Sequence, residues 1–180
     1  MMRKILAIFV FLLLLVVRPG LVQASAEFET AYDVRYEVQN NGRVLVNQDI
    51  TLTNKLSRVH ATRYSLTLEG VQIENVSAYD DEGPLKTEVS RQNGLTIINL
   101  VFNQTVVGTG KALKFKISYQ TLGLAEHQGQ IWEVSVPRLA QASEIAHYSL
   151  TLAVPVSFGQ PAYTAPQPIS QKTEKNFNLF

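Results

Sequence analysis

The sequence predicts an all-β fold: an antiparallel β-sandwich of about nine strands, preceded by a secretory signal peptide. Apolar residues recur at every second position over most of the chain after residue 26, and Gly, Asn and Pro separate these stretches. That period is typical of strands with one buried face. No stretch beyond residue 26 keeps an apolar period of 3.6 residues over three turns, so long amphipathic helices are not expected.

Residues 1–26 have the order of a secretory signal. Arg3 and Lys4 precede the apolar run Ile5–Val17, and small residues follow at 24–26. The alternative is an uncleaved anchor, but a spanning helix needs roughly 20 apolar residues and this run is shorter. We therefore expect an extracytoplasmic protein, secreted or in the cell envelope. Its membrane contact is expected only through this segment or an anchor outside the sequence.

Removal of the signal changes the charge balance. It leaves 13 Lys and Arg against 15 Asp and Glu, so the net charge falls from +1 to −2. No basic cluster remains to bind phosphates, and nucleic acid is not an expected partner. Cysteine is absent, which excludes a thiol nucleophile and Cys-ligated zinc within these residues.

The alternating stretches define the strands and one domain over residues 27–155. The pattern places strands at residues 28–38, 44–52, 64–68, 71–79, 85–90, 95–102, 113–119, 132–136 and 148–154. Asn-Gly pairs at 41–42 and 93–94 predict tight hairpins. Leu95–Phe102 is apolar on both faces, which favours a central strand. Residues 156–180 are rich in Pro and are expected to form a linker or the start of a following segment.

Most motifs that suggest chemistry have a simpler interpretation. Val107–Ala112 contains Gly-Thr-Gly-Lys but lacks the Ser or Thr and the helix of a phosphate loop, so it predicts a β-turn. Asp80, Asp81 and Glu82 precede Gly-Pro and predict a solvated turn. Sequons begin at Asn75 and Asn103 and would accept glycans in a eukaryotic secretory route.

The histidines do not have metal-ligand spacing. His60 and His127 are expected in connecting segments, and His147 at a solvated strand position. A zinc site built from His127, Glu133 and another histidine is the alternative, with scattered ligands as its only support. We therefore predict no metal and no other cofactor, and no catalytic residue.

Trp132 is the one weak candidate for ligand contact. It shares a strand face with Val134 and Val136 and alternates with Glu133. Because those face partners are aliphatic, the indole is expected to fill the core, and a sugar-stacking platform is the alternative.

Five ordered blocks carry a resemblance to a known family. They are FETAYDVRYEVQNNGRVLVNQDITLTN, YSLTLEGVQIENVSAYDDEGPL, VVGTGKALKFKISYQ, GQIWEVSVPRL and LTLAVPVSFGQPAYTAPQP. The chain resembles the amino-terminal β-domain of secreted or membrane-anchored bacterial transglutaminase-like proteins. The resemblance implies a non-catalytic accessory module of a longer protein, with any Cys-His-Asp catalysis in a downstream domain. Its partners would be that domain, or a cell-envelope protein or glycan. The alternative is a stand-alone extracytoplasmic module that binds carbohydrate or protein.

Overall fold

The computed structural model describes residues 27–137 and 145–180. The predicted signal peptide lies outside the described residues. The described parts are all-β, with thirteen strands and one 3-10 turn at Val156–Phe158. The strands are β1 (Phe28–Val38), β2 (Val44–Asn54), β3 (Arg63–Glu69), β4 (Ile73–Asp80), β5 (Gly83–Pro84), β6 (Lys86–Gln92), β7 (Leu95–Val101), β8 (Ala112–Thr121), β9 (Ala125–Gln128), β10 (Ile131–Val134), β11 (Ile145–Pro155), β12 (Lys172–Glu174) and β13 (Phe177–Leu179).

Eight strands form one large sheet in the order β12-β13-β11-β1-β2-β8-β4-β5. β1 and β2 pair along their whole length, from Phe28 opposite Asn54 to Val38 opposite Val44. The sheet is not purely antiparallel, because β1 pairs with β11 in parallel. A parallel neighbour requires a long connection, and here more than 100 residues separate the two strands.

Two smaller sheets complete the described fold. β3, β7 and β6 form a three-stranded antiparallel sheet with β7 in the centre, as the apolar character of Leu95–Phe102 predicted. β9 and β10 form a two-stranded hairpin. The three-stranded sheet packs against the large sheet through aromatic contacts: the rings of Tyr64 and Phe102 each lie 5.0 Å from that of Phe115, edge to face.

The core lies on one side of the large sheet, which we call its inner face. Alternate side chains of β1, β2 and β8 point to this face and are buried, because successive residues of a strand point to opposite sides. Val38, Val44, Val46 and Ile117 are fully buried there. The three-stranded sheet contributes Leu66, Leu68, Ile98 and Leu100 to the same cluster.

Residues 156–180, expected to form a linker or the start of a following segment, contain the strands β12 and β13. β13 pairs with β11, and the backbone groups of Leu152 and Phe180 exchange two hydrogen bonds of 3.0 Å. Asn178 is buried, and its amide donates to the carbonyl of Gly159 at 3.3 Å. The end of the segment therefore belongs to the large sheet. Among the described residues there is no helix with the length and apolar character needed to cross a membrane.

Candidate functional site

Trp132 lies on β10 in a group of aromatic side chains. Its ring stacks on that of Phe158, with centroids 4.3 Å apart and planes 6° from parallel. The ring of His127, opposite on β9, is 4.8 Å away. Gly42, in the β1–β2 turn, lies so near that a Cβ there would be 3.2 Å from Cζ3 of the indole. The half-buried indole thus joins the hairpin, the turn and the segment after β11.

The predicted partners of Trp132 are placed partly as expected. Val134 and Val136 share its burial and pack against the core with it, while Glu133 is exposed. The prediction that His127 lies in a connecting segment is wrong, because it lies on β9 and pairs with Trp132. Glu133 instead accepts a hydrogen bond from Gln128 at 3.3 Å. A ligand-contact role for Trp132 stays a prediction.

The other histidines do not join this group. His147 is exposed on β11, 3.6 Å from the carboxylate of Asp33. His60 lies in the connection before β3. Within residues 27–137 and 145–180, no three His, Asp or Glu side chains are close enough to hold a metal ion.

A group of polar side chains lies under the inner face. Gln48 is buried, and its amide donates to the hydroxyl of Tyr119 at 3.2 Å. Desolvation raises the pKa of Tyr119 to about 12. Desolvation and the neighbouring hydroxyls of Tyr119 and Tyr148 raise the pKa of Tyr36 far above its usual value. All of these hydroxyls are therefore neutral hydrogen-bonding groups at physiological pH. The burial of Gln48 was not predicted. Its position in phase with the apolar residues Val46 and Ile50 is the sequence signal for it.

A polar cleft of about 450 Å³ lies beside the first residues of β1 and β3. The hydroxyl of Tyr64 in its wall lies 2.7 Å from that of Tyr32. Desolvation is the main cause that raises the pKa of Tyr64. The cleft is lined by Glu27, Phe28, Thr30, Leu52, His60, Ala61, Thr62, Arg63 and Tyr64.

The inner face is only half covered at β11. Tyr148 is 39% exposed and Leu150 is 37% exposed, although their register partners on β1 are Tyr32 and Val34. The ring of Tyr148 packs edge to face on that of Tyr32 at 6.5 Å. Among residues 27–137 and 145–180, the margin of the sheet at β11 therefore presents apolar side chains that are not fully buried.

The turn motifs have structural roles. Asp80 accepts hydrogen bonds from the side-chain amide of Asn103 at 3.1 Å and from the backbone N–H of Glu82 at 2.9 Å. Desolvation acts to raise the pKa of Asp80, but these bonds outweigh it and lower the pKa. The predicted β-turn at Val107–Ala112 is confirmed, because Lys111 N–H bonds to Gly108 O at 3.1 Å and β8 begins at Ala112.

No protein-family model matches the chain, and no curated protein does. Among solved structures, a point mutant of a two domain M1 zinc metallopeptidase bound to L-arginine matches with a TM-score of 0.52 and 12% identity, over 86% of this chain and 38% of that one. The M1 zinc metallopeptidase from Deinococcus radiodurans matches with a TM-score of 0.51 and 14% identity, over 85% and 38% of the two chains. A point mutant of that enzyme with a bound Tyr-Ser-Ala substrate matches with a TM-score of 0.50 and 13% identity, over 86% and 38%. The chain thus spans well under half the length of these enzymes.

The resemblance to transglutaminase-like proteins is wrong, since the structural neighbours are M1 zinc metallopeptidases. At this identity the likeness shows the fold alone. The blocks that carried the resemblance consist mainly of alternating strands, one Asn-Gly turn and two Val-Pro strand ends. Those features follow from the backbone needs of any packed antiparallel sheet, so they indicated the fold class and not the family.

Proposed function

We propose that this chain is a non-catalytic β domain that accompanies a zinc metallopeptidase domain of the M1 type. The observation that carries the proposal is the fold likeness: 86% of this chain matches 38% of a two domain M1 enzyme, with a TM-score of 0.52. The match takes up about the share of the enzyme that one domain would occupy. The peptidase chemistry is accordingly assigned to the partner domain and not to this chain.

The packing supports a scaffold role. We infer a two-layer sandwich, because the rings of Tyr64 and Phe102 meet Phe115 from the opposite sheet. A rigid sheet layer of this kind is suited to hold a catalytic domain in place. In this proposal residues 1–26 direct export, so the assembly works outside the cytoplasm.

The test is to mix the purified chain with an M1-type peptidase domain from the same organism. We expect a complex in sedimentation velocity and a change in kcat/KM for an aminoacyl-coumarin substrate. The chain alone, supplied with zinc, is expected to give no turnover. Serum albumin at the same concentration controls for non-specific protein effects.

Two outcomes would contradict the proposal. Hydrolysis by the chain alone would show that it is not a purely accessory domain. If the chain forms no complex with any M1-type peptidase domain of the organism, such a domain is not its partner.

A further inference from the structure

The second edge of β11 is a candidate binding surface. β1 pairs with one edge of β11 from Ile145 to Ala153. On the other edge, β13 pairs with Ala153–Pro155, and Phe180, directly after β13, bonds to Leu152. Within residues 27–137 and 145–180, no strand pairs with that edge from Ile145 to Thr151. Unpaired edges of this kind are templates for an added strand.

The backbone hydrogen bonds of Leu152 show which groups face this edge. Its N–H and C=O both bond to Phe180, so they point toward β13. Alternate residues of a strand direct their N–H and C=O groups to the same edge. The N–H and C=O groups of Tyr148 and Leu150 therefore point to the unpaired edge. The regular alternation ends at Ala146, which the register of β11 with β1 skips.

The side chains beside this edge are apolar on one face. Tyr148 and Leu150 are 39% and 37% exposed and lie on the inner face. A strand placed along the edge would cover them with its own inner-face side chains, which is how cross-strand neighbours pack. On the opposite face lie His147 and Ser149, which favour polar side chains from the added strand.

We propose that β11, over His147–Thr151, binds an extended peptide as an additional antiparallel strand. β13 sets the register, because the bonded pair Leu152–Phe180 places the next bonded positions opposite Leu150 and Tyr148. The peptide carries apolar side chains at these alternate positions and polar ones between them. Backbone pairing supplies affinity and the alternate side chains supply selectivity. This binding goes beyond the accessory role, since it is a property of this chain alone.

The experiment uses a fluorescein-labelled peptide of seven residues, alternating valine and threonine, and the full chain. Anisotropy measures affinity, and NMR follows the amide signals of Tyr148 and Leu150. Tyr148→Lys or Leu150→Lys is expected to weaken binding by roughly tenfold or more, because the added charge loses water in the complex. The matched control is Tyr79→Lys. Tyr79 is 50% exposed at the far side of the sheet, so this variant is expected to leave affinity unchanged.

A second arm uses the unaltered protein, so it does not depend on how a variant folds. N-methylation at alternate peptide positions removes the N–H groups from one edge only. Methylation of the peptide N–H groups that face β11 is expected to abolish binding. Methylation of the N–H groups on the other edge of the peptide is expected to leave the affinity unchanged. The proposal is overturned if both methylated peptides bind equally, if the unmethylated peptide does not bind, or if Tyr148→Lys and Tyr79→Lys weaken binding alike. It is also overturned in favour of self-association if the unaltered chain sediments as a dimer that Tyr148→Lys dissociates.

Discussion

The centre and the margin of the large sheet share one sequence pattern but differ in burial. Ile117 on β8 and Val46 on β2 are fully buried. Leu150 on β11 lies on the same inner face and is 37% exposed. The alternation of apolar and polar residues is equally regular in the three strands. Which apolar side chains are buried therefore depends on what packs over the inner face. Among the described residues, Leu152 of β11 packs against the core, whereas Tyr148 and Leu150 stay more than a third exposed.

The largest expected effect separates these two regions directly. Ile117→Ala should lower the free energy of unfolding by about 2–5 kcal/mol, because it opens a cavity in a closed core. Leu150→Ala should cost less than about 1.5 kcal/mol, since part of the side chain is already in water. Urea unfolding followed by circular dichroism measures both. Equal costs would mean that the inner face is as well covered at β11 as at β8.

The strand pattern of the fold was predictable from sequence because it depends on local period. β1, β2, β3, β7 and β8 follow from apolar alternation and from the Asn-Gly turns. The short strands β9, β12 and β13 were missed, since three or four residues are too few to show a period, and those of β9 and β12 are also mostly polar. The parallel pairing of β1 with β11 joins distant parts of the chain. No local signal specifies such a pairing.

The candidate site also has one part that the local sequence pattern predicted and one part that it did not. The burial of Trp132 with Val134 followed from their shared strand face. The stack on Phe158 did not, because that residue lies in a segment that its prolines made look like a linker. The open edge of β11 was not predictable either. A strand sequence gives the side-chain faces, but it does not give the length of the neighbouring strand.

The two Asn-Gly turns offer a second comparison, with an expected effect of intermediate size. Gly42 and Gly94 both have φ of +79°, but a Cβ on Gly42 would lie 3.1 Å from Ala125 O and 3.2 Å from the Trp132 ring. A Cβ on Gly94 meets nothing within 4 Å. Gly94→Ala should lower the free energy of unfolding by about 1–2 kcal/mol, because alanine is strained in the left-handed backbone conformation. Gly42→Ala should cost about 1–3 kcal/mol more, because of overpacking.

Thermal unfolding measures this difference, and tryptophan emission locates its cause. Trp132 is the only tryptophan, so its emission should shift in Gly42→Ala and stay constant in Gly94→Ala. Equal destabilisation by the two variants, with unchanged emission in both, would show that the hairpin β9–β10 is not packed on the β1–β2 turn.

The smallest expected effect concerns the hydroxyls under the inner face at alkaline pH. Burial raises the pKa of Tyr119 from 10.0 to about 12, so the unfolded chain loses this proton before the folded chain does. Stability is therefore retained below pH 10 and falls between pH 10 and 12, by up to about 1.4 kcal/mol per pH unit for this group. Tyr119→Phe should make that fall shallower, although the loss of the bond from Gln48 costs about 1 kcal/mol at neutral pH. Urea unfolding across pH 8–11.5 checks this, with Tyr79→Phe as the control. An alkaline slope that Tyr119→Phe leaves unchanged would mean that the hydroxyl is not held away from water, and that the centre of the inner face is as open as its margin.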